Sequence, residues 1–170
     1  MASDDTDSFQ SIASEIIQMS ERDQVMRKSG MWDSSVDIEN TKRMKEIIEQ
    51  IGWPTISKVG ERASDRAWLL AQHADLDHQF QQTCLDLMKV LPAGEIKPAN
   101  IAYLEDRVRI GEKRPQLYGT QFYTDEKGNF GPKPIEDLDH IDERRKAVGL
   151  GTMAEYTRTI EQIYQERANK

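Results

Sequence analysis

Apolar residues recur every three or four positions along most of this chain, and glycine or proline interrupts the pattern at intervals. The first of these apolar stripes comprises Phe9, Ile12, Ala13, Ile16, Ile17 and Met19. Residues at this spacing share one face of an α-helix, so a helix is predicted from about Ser8 to Lys28. A helix with one apolar face is stable only when that face packs on another element. The chain is therefore expected to fold as a bundle of packed helices.

Further stripes predict the remaining helices, and each stripe ends at a residue that stops a helix. Gly52, Pro92 and Gly111 follow the clearest stripes, and glycine or proline at such a place ends a helix. Thr152 and Glu155 form a capping box, which opens the last helix. Ser34 or Ser35 is the expected N-cap of the second helix, which ends at Ile51, and residues 55–60 are expected to form one short turn of helix at most. The later predicted helices run from Ala63 to Ala74, Leu76 to Leu91, Pro98 to Gly111, Asp139 to Val148, and Thr152 onward.

The helical spacing stops at Pro115, after which aromatic and β-branched residues dominate. Leu117–Thr124 predicts a strand, the next four residues a turn, and Asn129–Gly131 a returning strand, which together make a β-hairpin. The predicted fold is mainly α, a single-domain bundle of six or seven helices with one small β-hairpin. Residues 8–170 are expected to form this domain, and the acidic residues 1–7 a flexible tail.

The charge of the chain limits the partners that it can bind. The formal net charge is -7, and the densest basic cluster, residues 143–146, is short. Nucleic-acid-binding proteins carry a basic patch or stripe, so we expect neither a nucleic acid nor an anionic membrane as a partner. No apolar run reaches the roughly 20 residues of a membrane span, and the first residues lack the features of a signal peptide. A cytoplasmic location is expected by default.

His73 is the leading candidate for chemistry because histidine exchanges a proton near neutral pH. It lies near the end of the third predicted helix, after Gln72 and two residues before Asp75. Asp75 could orient the imidazole and stabilise its charged form. Alternatively, Asp75 caps the helix that follows, and His73 is a structural histidine with a satisfied hydrogen bond.

The residues around His73 do not match a metal site. His73 and His78 are five residues apart, so they do not share a helical face. No His-Glu-x-x-His motif or cysteine pair accompanies them, and Cys84 is the only cysteine. The sequence also lacks the glycine-rich loops that bind nucleotides and the Gly-x-Ser-x-Gly elbow of hydrolases. We therefore expect neither a metal nor a cofactor.

A second group of polar residues lies in the predicted hairpin. Tyr118, Thr120 and Gln121 bring a phenol, a hydroxyl and an amide together, and Gln116 adds another amide. Strand alternation would put Tyr118 and Thr120 on one face and Gln121 on the other. Gly119 would allow close approach by a ligand or a neighbouring segment. The alternative is an ordinary exposed hairpin.

Two arginines could bind a carboxylate or phosphate, because the guanidinium group matches those anions. Arg107 lies on the fifth predicted helix and Arg144 on the sixth. Alternatively, Arg107 and Asp106 form a solvated face, and Arg144 with Arg145 favours a helix C-terminus.

Several segments together resemble an uncharacterised bacterial family catalogued as a domain of unknown function. They lie within residues 40–156 and are Gly52–Thr55, Ala67–Asp75, Asn100–Val108, Gln116–Gln121, Pro134–Asp137 and Asp142–Leu150. The resemblance implies the motif positions Gln72, His73, Asp75, Asp77, Arg107, Gln116, Tyr118, Thr120, Gln121 and Arg144, but no activity. His78 stands where the family is expected to have proline, which argues against His78 as a ligand.

Two functions are compatible with these residues. The first is a metal-free acid–base enzyme acting on a small or peptide-like substrate that bears an amide or a carboxylate. His73 would be its general base or acid, and Asp75 would orient His73. The substrate-binding residues would be Gln72, Arg107, Gln116, Tyr118, Thr120, Gln121 and Arg144. The second function is a non-catalytic module that binds a ligand or a protein through the same polar pocket. Neither hypothesis fixes the oligomeric state.

Overall fold

The computed structural model describes the backbone of residues 2–31 and 33–168, and the side chains of residues 7–31 and 33–166. In these ranges it has seven α-helices, a short 3-10 helix and a two-stranded antiparallel sheet, which confirms the predicted mainly α fold with one β-hairpin. The elements are α1 (Ala2–Lys28), α2 (Ser34–Ile51), α3 (Ile56–Gln72), α4 (His78–Lys89), α5 (Pro98–Gly111), β1 (Phe122–Thr124), β2 (Phe130–Pro132), α6 (Ile141–Ala147) and α7 (Met153–Ala168).

The chain divides into two compact units, Met1–Ile101 and Ala102–Lys170. The first unit holds α1 to α4 and the start of α5, and the second holds the rest of α5 and all later elements. The single domain expected over residues 8–170 stays a prediction. Of the expected tail, Met1 lies outside the described residues, and α1 already begins at Ala2. A helix extends readily because each added residue gains a backbone hydrogen bond.

Helices α1, α2 and α3 of the first unit run up, down and up. Side-chain pairs between the helices show these directions. As the chain advances along α1, its partners move backward along α2 and forward along α3. The ion pairs are Glu15–Arg43 and Arg22–Glu39 between α1 and α2, and Glu21–Arg62 between α1 and α3. The hydrogen bond between Asp23 and His73 also joins α1 to the end of α3. The small buried residues Ala63, Ala67 and Ala71 of α3 let α1 approach closely. This buried face of α3 is the one that its sequence spacing predicts.

Several predicted helix ends are wrong by a few residues. Asp33, not Ser34 or Ser35, is the N-cap of α2, and its side chain accepts a hydrogen bond from the Ser35 N–H at 2.9 Å. The short turn predicted before Gly60 is continuous with α3 except for a non-helical Gly60. Helix α4 begins at His78, so Leu76, predicted as the first residue of its apolar stripe, lies in the loop and is 65% exposed. Local caps, not apolar spacing, set these ends.

The hairpin of the second unit is shorter than predicted. Strand β1 begins at Phe122, which pairs with Pro132 of β2, so residues 118–121 lie in a loop and the predicted strand alternation of Tyr118 and Thr120 is wrong. Gly119 has a φ of 69°, which is a left-handed conformation incompatible with a regular strand. The ring of Phe130 stacks on that of Tyr164, with centroids 4.0 Å apart, and this contact packs the hairpin on α7.

The capping box at the start of α7 is confirmed. The Thr152 N–H donates to Glu155 Oε2 at 3.0 Å, and the Glu155 N–H donates to Thr152 Oγ1 at 3.3 Å. The helix predicted over residues 139–148 forms as the 3-10 helix Leu138–His140 followed directly by α6. None of the helices in the described ranges is long and apolar enough to cross a membrane.

A side chain at Gly119 would contact Met153 and Ile141 as well as strain the backbone. A Cβ built on Gly119 would lie 2.5 Å from Met153 Sδ and 3.1 Å from Ile141 Cδ1. Gly128 also has a positive φ, 84°, but a Cβ there would meet nothing within 4 Å. We expect Gly119→Ala to destabilise the protein by about 1–3 kcal/mol more than Gly128→Ala, because only the former overpacks a buried contact. Equal losses of unfolding free energy in the two variants, measured by urea denaturation, would contradict this prediction.

Candidate functional site

Three charged side chains and one histidine meet where α1 ends, α2 begins and α3 ends, and they form the charge cluster Asp23, Arg27, Asp37 and His73. The carboxylates of Asp23 and Asp37 are 0% and 3% exposed, and the side chains of Arg27 and His73 are 22% and 16% exposed. Arg27 Nε donates to Asp23 Oδ1 at 3.0 Å, and its Nη2 donates to Asp37 Oδ1 at 2.7 Å. Arg27 therefore bridges two buried carboxylates that would otherwise repel each other.

His73 joins this cluster through one ring nitrogen. Its Nδ1 lies 2.8 Å from Asp23 Oδ2 and 3.0 Å from Arg27 Nε. Nδ1 cannot donate to the carboxylate and accept from the guanidinium at once. An unprotonated Nδ1 would place a lone pair against a carboxylate oxygen, so we assign the proton to Nδ1, which donates to Asp23. Among the described residues, no hydrogen bond reaches the other ring nitrogen, Nε2.

The surroundings shift the pKa values of the two carboxylates of the cluster in opposite directions. Burial raises the pKa of Asp23, but hydrogen bonds from His73 and Gln24 and the charge of Arg27 outweigh it, so the pKa of Asp23 lies below its ordinary value. Burial also raises the pKa of Asp37, and there the charge of Arg27 does not compensate, so the pKa of Asp37 lies above its ordinary value. Asp23, the carboxylate bonded to the imidazole, thus stays ionised to a lower pH than Asp37.

The sequence does carry a signal for Asp23, which our sequence analysis missed. Asp23 continues the buried stripe of α1 that includes Ile16, Met19 and Met26, at the spacing of one helical face. A carboxylate at a core position must find a partner, because a buried unpaired charge is very costly. Arg27, one helical turn later, is that partner in the same helix, but His73 is 50 residues away and only the fold brings it close.

Two buried polar groups lie on the same helical faces as the cluster. Ser20 precedes Asp23 by three residues, and Asn40 follows Asp37 by three, so each pair shares a face. Among the described residues, Ser20 Oγ and Asn40 Nδ2 are buried without a hydrogen-bond partner. A buried polar group without a partner costs about 1–3 kcal/mol.

The residues predicted beside His73 have other partners. Asp75 is exposed, and its Oδ1 accepts a hydrogen bond from Gln81 Nε2 at 3.1 Å. The alternative prediction that Asp75 caps α4 is wrong, because the N-cap is Asp77, whose Oδ1 accepts from the Phe80 N–H at 2.9 Å. Gln72 is buried, and its backbone carbonyl accepts from the same Gln81 amide at 3.2 Å. The carboxylate bonded to His73 is Asp23.

The second group of predicted residues lies in the second unit and surrounds a buried carboxylate, Asp106. Its oxygens accept hydrogen bonds from the backbone N–H groups of Leu117, Tyr118 and Thr120, at 2.7, 3.0 and 2.9 Å, and from the Thr120 hydroxyl at 2.9 Å. Asp106 is fully buried, so the alternative of a solvated face with Arg107 is wrong for Asp106. This carboxylate folds the loop before β1 by collecting its donors.

The side chain of Gln116 also makes its hydrogen bonds to the protein backbone. Its Nε2 donates to the carbonyls of Gln121 and Lys133, at 3.0 and 2.8 Å, and its Oε1 accepts from the Gln121 N–H at 2.8 Å. The fully buried amide thereby joins the segment before β1 to the segment after β2. The side chain of Gln121 donates to Thr120 Oγ1 at 3.0 Å.

The arginines of α6 also bind protein backbone. Arg144 donates to the carbonyls of Leu117, Glu136 and Asp137, at 3.0, 2.6 and 2.8 Å. Arg145 is buried and donates to Gly151 O at 2.6 Å. Arg107 is half-buried on α5. Arginine is well suited to collecting several carbonyls because its donors form a planar fork.

The predicted site residues thus fall into two groups, one in each compact unit. The first unit holds Gln72, His73 and Asp75, and the second holds Arg107, Gln116, Tyr118, Thr120, Gln121 and Arg144. Burial raises the pKa of the Tyr118 phenol, with the nearby carboxylates of Glu105 and Asp106 adding to the effect. Within the described ranges, no group of three or more His, Cys, Asp or Glu side chains could hold a metal ion.

These features define a mainly helical protein in which buried carboxylates organise both the helix bundle and the loop before the hairpin. The model of a family of unknown function, DUF6624, matches residues 10–169, and the chain belongs to that family. The match is wider than the expected residues 40–156 and includes the part of α1 that carries Asp23 and Arg27. No curated protein and no solved structure matches the chain.

The opposite pKa shifts of Asp23 and Asp37 predict opposite pH dependences of stability. A lowered pKa means that Asp23 stabilises the fold above its ordinary pKa of 3.8, and that this contribution is lost as the pH falls through the lower folded value. A raised pKa means that Asp37 favours the fold below 3.8, and that this contribution is lost as the pH rises through the higher folded value.

We therefore expect Asp23→Asn to cost on the order of 3 kcal/mol at neutral pH, because it leaves Arg27 and His73 without their shared partner. The difference from the wild type should narrow as the pH falls below 3.8 and the wild-type carboxylate protonates. Asp37→Asn should cost less at neutral pH, and its difference from the wild type should widen as the pH falls. Urea denaturation across this pH range measures both differences. Parallel curves for the two variants would refute the assignment.

Proposed function

We propose that this protein is an acid–base enzyme in which His73 exchanges a proton with a small or peptide-like substrate bearing an amide or a carboxylate. The observation that carries the proposal is the hydrogen bond between His73 Nδ1 and the buried carboxylate of Asp23, at 2.8 Å. That bond leaves His73 Nε2 as the atom that takes or gives the proton. A side chain placed in this way typically accelerates a reaction by about 100- to 10,000-fold.

Asp23 has two effects on His73 in this proposal. It fixes the tautomer, because its oxygen accepts the Nδ1 proton and so leaves a lone pair on Nε2. It also stabilises the imidazolium that forms when Nε2 takes a proton from the substrate. The lowered pKa of Asp23 supports both effects, since the carboxylate remains ionised while the imidazole changes its charge. Asp23 is therefore a positioning residue, in the place that the sequence analysis gave to Asp75.

Arg27 holds this pair in position. It donates to Asp23 Oδ1 while His73 contacts Asp23 Oδ2, so the two carboxylate oxygens have different partners. Its bond to Asp37 ties the same guanidinium to α2. His73 Nδ1 is thus held from α1, and the guanidinium beside it is held from α2, which keeps the ring in the one orientation that general acid–base catalysis requires. His73 remains 16% exposed, which provides access for a substrate.

The tautomer of His73 is directly measurable. Long-range proton–nitrogen NMR should show the proton of neutral His73 on Nδ1 and an unprotonated Nε2. In Asp23→Asn this preference should be lost, because an amide oxygen is a weaker acceptor than a carboxylate. His140, whose Nδ1 lies 2.9 Å from Asp137 on the protein surface, is an internal reference for an exposed pair. A wild-type proton on Nε2 would refute the proposed geometry.

His73→Asn separates catalysis from structure. The asparagine amide can occupy the place of Nδ1 and keep the bond to Asp23, so the melting temperature should change little, while the atom that transfers the proton is removed. A mixture of small amides, peptides and carboxylic acids is incubated with the protein, and turnover is followed by mass spectrometry. Compounds that the wild type consumes should be consumed about 100- to 10,000-fold more slowly by His73→Asn. His140→Asn, also at an Asp-paired histidine, is the matched control.

Two outcomes would overturn the proposal. Unchanged turnover in His73→Asn would exclude His73 as the acid or base. Binding of a compound by the wild type, without turnover and with the same affinity in His73→Asn, would identify a non-catalytic binding module instead.

A further inference from the structure

A cleft of about 430 Å³ opens between α1, α3 and the start of α5, and its walls lie entirely in the first unit. Its volume is in the range of small-molecule sites. Positive groups dominate its lining, with Arg62, Arg66 and Lys97 against the single carboxylate of Asp65, and Trp68 adds an aromatic wall. This concentration of cations occurs in a protein whose formal net charge is -7.

The three cations of the cleft differ in their ion-pair partners within the protein. Arg62 pairs with Glu21 at 3.1 Å, and Lys97 pairs with Glu61 at 2.9 Å and with Asp65. Among the described residues, Arg66 alone of the three has no hydrogen bond or ion pair. A half-buried guanidinium without a carboxylate partner is suited to an oxyanion ligand, which it can bind through two parallel hydrogen bonds.

The neighbouring carboxylate is prevented from neutralising Arg66. Asp65 Oδ1 accepts a hydrogen bond from Asn100 Nδ2 at 2.9 Å, and its Oδ2 accepts from Lys97. Asn100 is buried and Lys97 lies at the start of α5, so both hold Asp65 toward that wall of the cleft. The positive charge of Arg66 therefore remains for a ligand.

We propose that this cleft binds the carboxylate or phosphate group of a small anionic ligand through Arg66. The assignment goes beyond a general polar pocket, because it fixes the charge of the ligand and the side chain that recognises it. It also differs from the anion-binding arginines expected from the sequence, Arg107 and Arg144, the latter of which is bonded to backbone carbonyls.

The cleft adjoins the charge cluster. Gln24 lines the cleft, and its Nε2 donates to Asp23 Oδ2 at 3.0 Å. Leu69 also lines the cleft, and its carbonyl accepts from the His73 N–H at 3.1 Å. Arg66 and His73 are seven residues apart on α3, which is about two turns or roughly 10 Å along the helix. If the proposed function holds, the anion that Arg66 binds belongs to the substrate on which His73 acts.

Titration with inorganic phosphate, and separately with succinate, tests the cleft at constant ionic strength. Proton–nitrogen NMR follows the indole N–H of Trp68 and the side-chain amide of Asn100, both of which line the cleft. The buried indole of Trp53, which does not line it, is the internal reference. We expect saturable shifts of the two cleft signals and none of Trp53. The tighter of the two anions identifies phosphate or carboxylate as the ligand group.

Arg66→Gln should weaken this binding by roughly tenfold or more, because a charge-assisted contact to the anion is lost. Arg22→Gln removes the same charge from an exposed arginine of α1 that pairs with Glu39 and does not line the cleft, so it should bind the anion like the wild type. Unchanged binding by Arg66→Gln, or an equal loss in Arg22→Gln, would overturn the proposal.

His73→Asn distinguishes failure of the cleft from failure of the proposed function. The variant keeps Arg66 and should titrate with the same anion affinity as the wild type. Normal anion binding together with unchanged turnover in His73→Asn would refute the acid–base function and leave the cleft assignment standing. If the Trp68 signal of the wild type shows no saturable shift, the anion site in the cleft is refuted, whatever the turnover of His73→Asn.

Discussion

The carboxylate of Asp23 is the constraint on which the first compact unit depends. It has no exposed surface, and a charge in that position is tolerated only with partners of opposite charge and with hydrogen bonds. Arg27 supplies the charge from the same helix, and His73 supplies a donor from the end of α3. Arg27 in turn reaches Asp37 at the start of α2. The ends of three helices are thereby joined by one network of buried charges and hydrogen bonds.

The same physical device organises the second unit, with backbone groups as the partners. Asp106 is fully buried and collects three backbone N–H groups and one hydroxyl from residues 117–120. These donors would otherwise be left without partners, since the loop has no strand beside it. Gln116 and Arg144 complete the arrangement by binding backbone groups around the hairpin. Gln116, Thr120 and Arg144 are therefore explained by the hydrogen-bonding needs of an irregular loop.

Polar motif residues can be required by the fold itself and not by a ligand. A glutamine or threonine that apolar packing does not require is not thereby free for a ligand, because irregular backbone also needs polar partners. Gln116 and Thr120 belong to this kind. His73 differs, since its bond to Asp23 occupies one ring nitrogen and no described residue binds the other. The strength of a site prediction therefore depends on counting which donors and acceptors the fold has already used.

The sequence by itself determined the helices, because the spacing of apolar residues and the glycine, proline and capping residues act over a few positions. It also made His73 a candidate for chemistry, and it placed the hairpin within a few residues. Only the tertiary structure decided that Asp23 is the partner of His73, that Asp106 gathers the loop before β1, and which arginines are bonded to the protein itself. Such pairings join residues many positions apart, and their energy depends on burial, which local spacing does not encode.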